Sequence, residues 1–90
     1  MSFSVHWRKK LATRLLPLRP VLDRTGRGKS SHYNAVNNGL MVPPVELGPR
    51  SRRYPEHEIE AINAAVVAGK PESEIRELVV SLVAARKGVT

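Results

Sequence analysis

The chain contains no cysteine, which removes a disulfide framework, a thiol nucleophile and a cysteine-based zinc site together. It is also poor in aromatics. Phe3, Trp7, Tyr33 and Tyr54 are the whole set, so the core must be built from Leu, Val, Ile and Ala. No apolar run approaches the roughly 20 residues of a membrane helix. The N-terminus is basic but interrupted by Pro17 and Pro20, without the continuous apolar stretch of a signal peptide. His6, His32 and His57 lack the spacing a metal requires, so no metal and no cofactor are expected. Ser30, Ser31, Ser51, Ser73 and Ser81 have no His/Asp pattern around them, and the glutamates fall where helix termini favour them. The expectation is therefore a non-enzyme without a small-molecule substrate or a membrane partner.

What the chain does have is positive charge, and most of it lies in one half. The formal net charge is +7 over 90 residues, enough chain for one small domain. Residues 1–53 carry eleven Lys/Arg against Asp23 and Glu46, a net +9, whereas residues 54–90 carry a net −2. A polyanion would meet the first half.

Residues 1–17 place Trp7 among Arg8, Lys9, Lys10 and Arg14 and read as a basic arm. Val5, Leu11, Leu15 and Leu16 allow a short helix there, ended by Pro17. A short helix then fits Arg19 to Arg24, with Pro20 in its first turn, where a missing N–H is harmless. Thr25-Gly26 ends it, and a turn runs through Arg27-Gly28. A second helix fits Ser30 to Asn38, stopped by Gly39, with Tyr33, Val36 and Leu40 at helical spacing and expected to face inward. Two short helices joined by a Gly-containing turn outline a helix-turn-helix.

Val45-Glu46-Leu47 alternates as a strand does, Gly48-Pro49-Arg50-Ser51 has the composition of a turn, and Arg52-Arg53-Tyr54 returns as the partner strand. This hairpin carries Arg50, Arg52 and Arg53 at or beside its tip. Pro55 opens a third helix, acidic at its start, with Ile59, Ile62, Ala65 and Val66 as the expected buried stripe and Gly69 at its end. Pro71 starts the last helix, whose Ile75, Leu78, Val79, Leu82 and Val83 form a strong apolar stripe. That stripe suits packing within the chain, with some contribution to a dimer.

The segment from Thr25 to Asn34 is the most informative for function. Exposed N–H groups and small hydroxyls at a helix start can hold a phosphate, and Arg27 and Lys29 add charge at the same place. Ser30 belongs to the same helix start. Along the outer face Ser31, Asn34 and Asn37 offer donors and acceptors, and asparagine can read adenine bidentately in the major groove. Tyr33 can set its hydroxyl on a phosphate while its ring packs inside.

Leu18-Arg19-Pro20-Val21, the run Thr25 to Tyr33, the run Asn38 to Arg50, and Glu58-Ile59-Glu60-Ala61-Ile62 are similar to the AlpA family of phage-type regulators. Those are small members of the MerR-like winged-helix group, which also includes many excisionases. The resemblance covers about half the chain, Leu18 to Ala64, and Pro44-Val45-Glu46-Leu47-Gly48-Pro49-Arg50 is its most specific part. The Ala68-Gly69-Lys70 junction and the Ile75-Arg76 helix look like the C-terminal extension of longer relatives. The chain departs from the family pattern at three positions. Members usually have an apolar residue where Arg27 stands, Ser where Gly28 stands, and Ile or Leu where His32 stands. An imidazole at a buried apolar position needs a partner, so His32 is expected to be partly exposed or the helix to be slightly rotated. Losing a serine at 28 removes a helix N-cap, which Lys29-Ser30 is expected to shift by a residue or two.

The resemblance implies a mainly helical chain with a small β-hairpin, a winged helix-turn-helix with an extra C-terminal helix. The divisions are a basic arm over 1–17, the DNA-binding domain over 18–69 and the last helix over 70–87. The implied function is sequence-specific binding of double-stranded DNA in a bacterial cytoplasm, as a mobile-element transcription regulator or an excisionase. An integrase or a second copy of the chain would be the protein partner. Two other classes fit parts of the sequence: a basic RNA-binding or ribosome-associated protein, and an interaction adaptor working through the apolar stripe of the last helix.

Overall fold

The computed structural model describes residues 14–86; Arg8, Lys9, Lys10 and the rest of the expected arm before residue 14 lie outside the described residues. Within them the chain is mainly helical, with four helices and a small antiparallel sheet.

Helix α1, Leu18–Thr25, follows Pro17 in extended backbone and buries Val21. It stops at Gly26, whose φ of 72° lets its N–H return to the Leu22 carbonyl at 2.9 Å. Helix α2, Lys29–Asn37, begins one residue earlier than its hydroxyl-rich start suggested. Its N-cap is Gly28 itself, and no side chain caps it. The shift of the cap to Lys29-Ser30 expected from the sequence does not occur, because Gly28 adopts the extended cap backbone without strain. The far end closes as a Schellman turn. Gly39 (φ 77°) donates to the Val36 carbonyl at 3.2 Å, and Leu40 donates to Ala35 at 2.8 Å. Met41 and Val42 then drop into the core.

Strands β2, Val45–Gly48, and β3, Ser51–Pro55, form the expected hairpin, with Val45 opposite Arg53 and Glu46 opposite Arg52. A third strand was not expected. Leu15–Leu16, read from the sequence as part of an arm or short helix, form β1 and pair with Pro55 and Tyr54 on the other side of β3. The sheet order is β1-β3-β2. The physical reason is burial: Leu16 gains a place in the core only when its backbone is held against β3. The Glu56 N–H extends the pairing by donating to the Arg14 carbonyl at 2.7 Å.

Helix α3, Glu56–Val67, carries Glu56 and Glu58 in its first turn and buries Ile59 and Ile62. Val66, expected in that stripe, is 53% exposed because the helix outruns the core before Gly69 ends it. Helix α4, Glu72–Ala85, turns its apolar stripe back onto the chain. Ile75 and Val79 are buried, while Leu78, Leu82 and Val83 pack partly buried against the same core.

Among the described residues two polar side chains are sealed inside, His32 and Glu58. Glu58 is met by Arg86, which donates from Nε at 3.0 Å and from Nη2 at 2.6 Å, and Nη2 also reaches the Pro43 carbonyl at 2.7 Å. A buried carboxylate without such a partner would cost several kcal/mol, on the order of 3–5. One arginine therefore ties α4 to the start of α3 and to the segment that leads out of α2 toward the hairpin.

Candidate nucleic-acid interface

The outer face of α2 is set by what its inner face buries. Only His32 and Ala35 are buried on this helix, with Val36 partly so. The sequence placed Tyr33, Val36 and Leu40 inward; Val36 and Leu40 do pack partly buried against the core, but His32 and not Tyr33 takes the buried place beside them. Tyr33 is 43% exposed. The correction has a physical cause. An imidazole with a partner is a better buried group than a phenol whose hydroxyl would have none.

That partner is Tyr54. A hydrogen bond of 2.9 Å joins His32 Nε2 and the Tyr54 hydroxyl, both residues being almost wholly buried. The two rings meet edge to face at 5.1 Å, and Tyr33 adds a second edge contact to His32 at 5.4 Å. The other ring nitrogen, Nδ1, has no partner among the described residues. Burial, reinforced by the nearby Arg27 cation, holds His32 below the ordinary histidine range. Burial and the neighbouring Tyr33 push Tyr54 above the ordinary tyrosine range, against a smaller opposing pull from Arg52. Tyr54 is thus where α2 and the hairpin meet.

With His32 inward, every residue expected to contact a nucleic acid is left outside or half outside. Lys29, Ser30, Ser31, Asn34 and Asn37 are exposed on α2. Asn34, Ser30 and Asn37 lie opposite the buried side of the helix by its 100° spacing, with Tyr33 on one flank and Ser31 on the other. Ser31 is not free: Arg27 Nη1 donates to its hydroxyl at 2.9 Å. On the hairpin, Arg50 and Arg52 are exposed and Arg53 is half-buried, its Nη1 donating to the Arg52 carbonyl at 2.9 Å. Arg52 lies 3.6 Å from Glu46, a surface pair in which both side chains are largely in solvent.

Arg50 has an unusual backbone, with φ at +64°, the single non-glycine in the left-handed region among the described residues. Turns ordinarily give a position of positive φ to glycine or asparagine.

Not all of the basic half is available to an anion. Arg24 is hydrogen-bonded to Glu56 and lies 4.0 Å from Glu60, and Arg14 also lies 4.0 Å from Glu56. The acidic start of α3 therefore absorbs charge on α1 and β1. Arg19, Arg27, Lys29, Arg50 and Arg53 have no acidic partner among the described residues. The surplus concentrates at the start of α2 and on the hairpin.

Sequence reasoning missed the residues that seat this surface. Besides His32 and Tyr54, Arg76 of α4 donates from Nε to the Asn38 carbonyl at 3.0 Å, beyond the end of α2. The stem of Arg76 also lies 3.7 Å from where a Cβ on Gly39 would stand. The stripe of α4 that an adaptor would need is largely turned into the chain's own core. No protein-family model, curated protein or solved structure matches this chain.

Proposed function

We infer that this chain is a sequence-specific binder of double-stranded DNA, built as a winged helix-turn-helix. In this reading α1 and α2 are the helix-turn-helix, α2 enters the major groove, and the β2–β3 hairpin is a wing that follows the adjacent backbone or minor groove. One observation carries the reading. Burial of His32 against Tyr54 leaves the amide and hydroxyl side chains of α2 outward, while Arg52 and Arg53 belong to the strand that holds Tyr54. Base-edge donors and acceptors beside phosphate-seeking cations are the two contact classes that DNA recognition uses.

Arg27, Lys29, Arg50, Arg52, Arg53 and the Tyr33 hydroxyl are phosphate contacts, which supply affinity and set register. Ser30, Asn34 and Asn37 are base readers, with Ser31 steered by Arg27. The resemblance to AlpA-type proteins adds a biological role: a mobile-element regulator of transcription or an excisionase acting beside an integrase. Both jobs use the same contacts.

The test is selection of bound sequences from a random duplex pool, with structured RNA as competitor. The reading expects one recurring site, and RNA that competes no better than non-specific DNA. A pool that returns no site, together with RNA that competes equally, would contradict it. Within a recovered site, Asn34→Ala should relax one base position, at a cost of about 1–3 kcal/mol there.

A further inference from the structure

We propose that His32 and Tyr54 are positioning residues for recognition: their hydrogen bond fixes the rotation of α2 relative to the hairpin, and so determines which DNA sequence the chain selects. This rests on the DNA-binding reading above.

Little holds α2 in place. Its buried residues are His32 and Ala35, and Ala35 has only a methyl group to offer. Beside them only Val36 packs partly buried against the core, and apolar contacts of this kind have little directionality, so they resist a roll of the helix weakly. The His32–Tyr54 bond is directional, at 2.9 Å between atoms on different elements. The edge-to-face contact of the two rings restricts the same rotation. At the other end, Arg76 holds the Asn38 carbonyl at 3.0 Å. That contact fixes where α2 ends without fixing how its middle is rotated.

Rotation is what matters for readout. At 100° per residue, a roll of one position would carry Asn34 and Asn37 away from the centre of the outer face and bring Tyr33 inward. Tyr33-in is also the arrangement that apolar periodicity alone favours. The chain therefore has a competing phase, and the buried bond selects against it. The phosphate contacts of Arg50, Arg52 and Arg53 lie on the hairpin and not on the rolling helix, so most of the affinity for DNA in general is separable from the choice of site.

Tyr54→Phe is the direct test, because it removes one oxygen and keeps the ring. Sequence selection, the affinity ratio of the selected site over a scrambled duplex, and the salt slope are measured for wild type and variant, with a thermal melt to establish folding. The expected result is a salt slope lowered by no more than about one, the share of Lys29, with the ratio reduced by about tenfold, the scale of losing one base contact. A variant that is less stable yet keeps the wild-type site and ratio would overturn the positioning role.

The double variant His32→Leu/Tyr54→Phe guards against a folding defect, since replacing both partners by apolar groups removes the unpaired polar atoms. It is expected to regain stability but not the wild-type site. Recovery of that site would show that any apolar filler seats the helix, and would also overturn the proposal. If the wild-type chain selects no site at all, the DNA reading fails first. If it selects one that both variants share, only the positioning role fails.

Discussion

Glu58 and Arg86, separated by 28 residues, face each other through two hydrogen bonds at 2.6 and 3.0 Å, with the carboxylate wholly buried. The guanidinium spends its remaining reach on the Pro43 carbonyl. This fork makes α4 part of the domain and not an appendage. Truncation at Gly69 would remove Ile75, Val79, Arg76 and Arg86 together and leave Glu58 as a buried charge without a partner. A shortened chain is thus a poor way to separate DNA binding from partner binding.

Arg86→Ala is expected to cost about 3–5 kcal/mol in a urea melt, a large part of what a domain of this size has. Arg86→Lys should recover only part of that, because an ammonium cannot fork across both carboxylate oxygens. The double variant Glu58→Gln/Arg86→Met should be more stable than Arg86→Met alone. If it were not, the cost would lie in lost packing by the arginine stem and not in the stranded charge.

Stability should fall on mild acidification through His32. Its folded-state value is depressed, by burial first and by Arg27 second, so below about pH 6.5 the unfolded chain takes up a proton that the folded chain refuses. The contribution is flat above that range. It is lost progressively as pH falls from about 6.5 toward the lower folded value. Urea midpoints between about pH 7.5 and 5.5 should therefore drop for wild type. They should drop less for His32→Leu/Tyr54→Phe, which keeps His57 and every glutamate. Equal slopes in the two proteins would contradict the burial of a neutral His32.

Arg50→Gly should move stability and binding in opposite directions. Glycine adopts a φ of +64° without the side-chain clash that arginine bears there, so the variant should gain about 1 kcal/mol. It should also bind duplex DNA more weakly, with the salt slope reduced by about one. A gain in stability with unchanged binding would remove Arg50 from the interface.

Glu46→Gln probes the charge on the hairpin. The Arg52–Glu46 pair is solvent-exposed at 3.6 Å, so breaking it should change stability by less than about 1 kcal/mol. Freed from its carboxylate, Arg52 should bind phosphate better, raising affinity for all duplexes and steepening the salt slope. Arg52→Ala should do the reverse.

The sequence revealed the helix ends and the hairpin well, because both depend on local chemistry. Gly26, Gly39 and Gly69 all take the positive φ that their place after a helical pattern implies. The Val45-to-Tyr54 hairpin follows from alternation around a Gly-Pro turn. What stayed hidden depends on partners far along the chain. Tyr33 looks like an inward side chain beside Val36, which does pack on the core, and nothing near His32 announces Tyr54, 22 residues on. Strand β1 is two residues long and has no turn before β3, so it leaves no pattern of its own. Glu58 looked like a group placed to suit a helix dipole, whereas it serves mainly as the partner of Arg86, 28 residues on. The exposed polar and basic residues of α2 and the hairpin were legible through their chemistry, and the buried His32–Tyr54 contact beneath them was not.

The central claim is that one surface, α2 with the β2–β3 hairpin, meets DNA. Amide chemical-shift mapping of the ¹⁵N-labelled chain during titration with its selected duplex tests this most directly. The largest changes are expected at Arg27 to Asn37 and at Gly48 to Arg53, with the exposed side of α4 around Val80 nearly silent. Changes centred on α4, or spread evenly with no cluster on α2 and the hairpin, would contradict it.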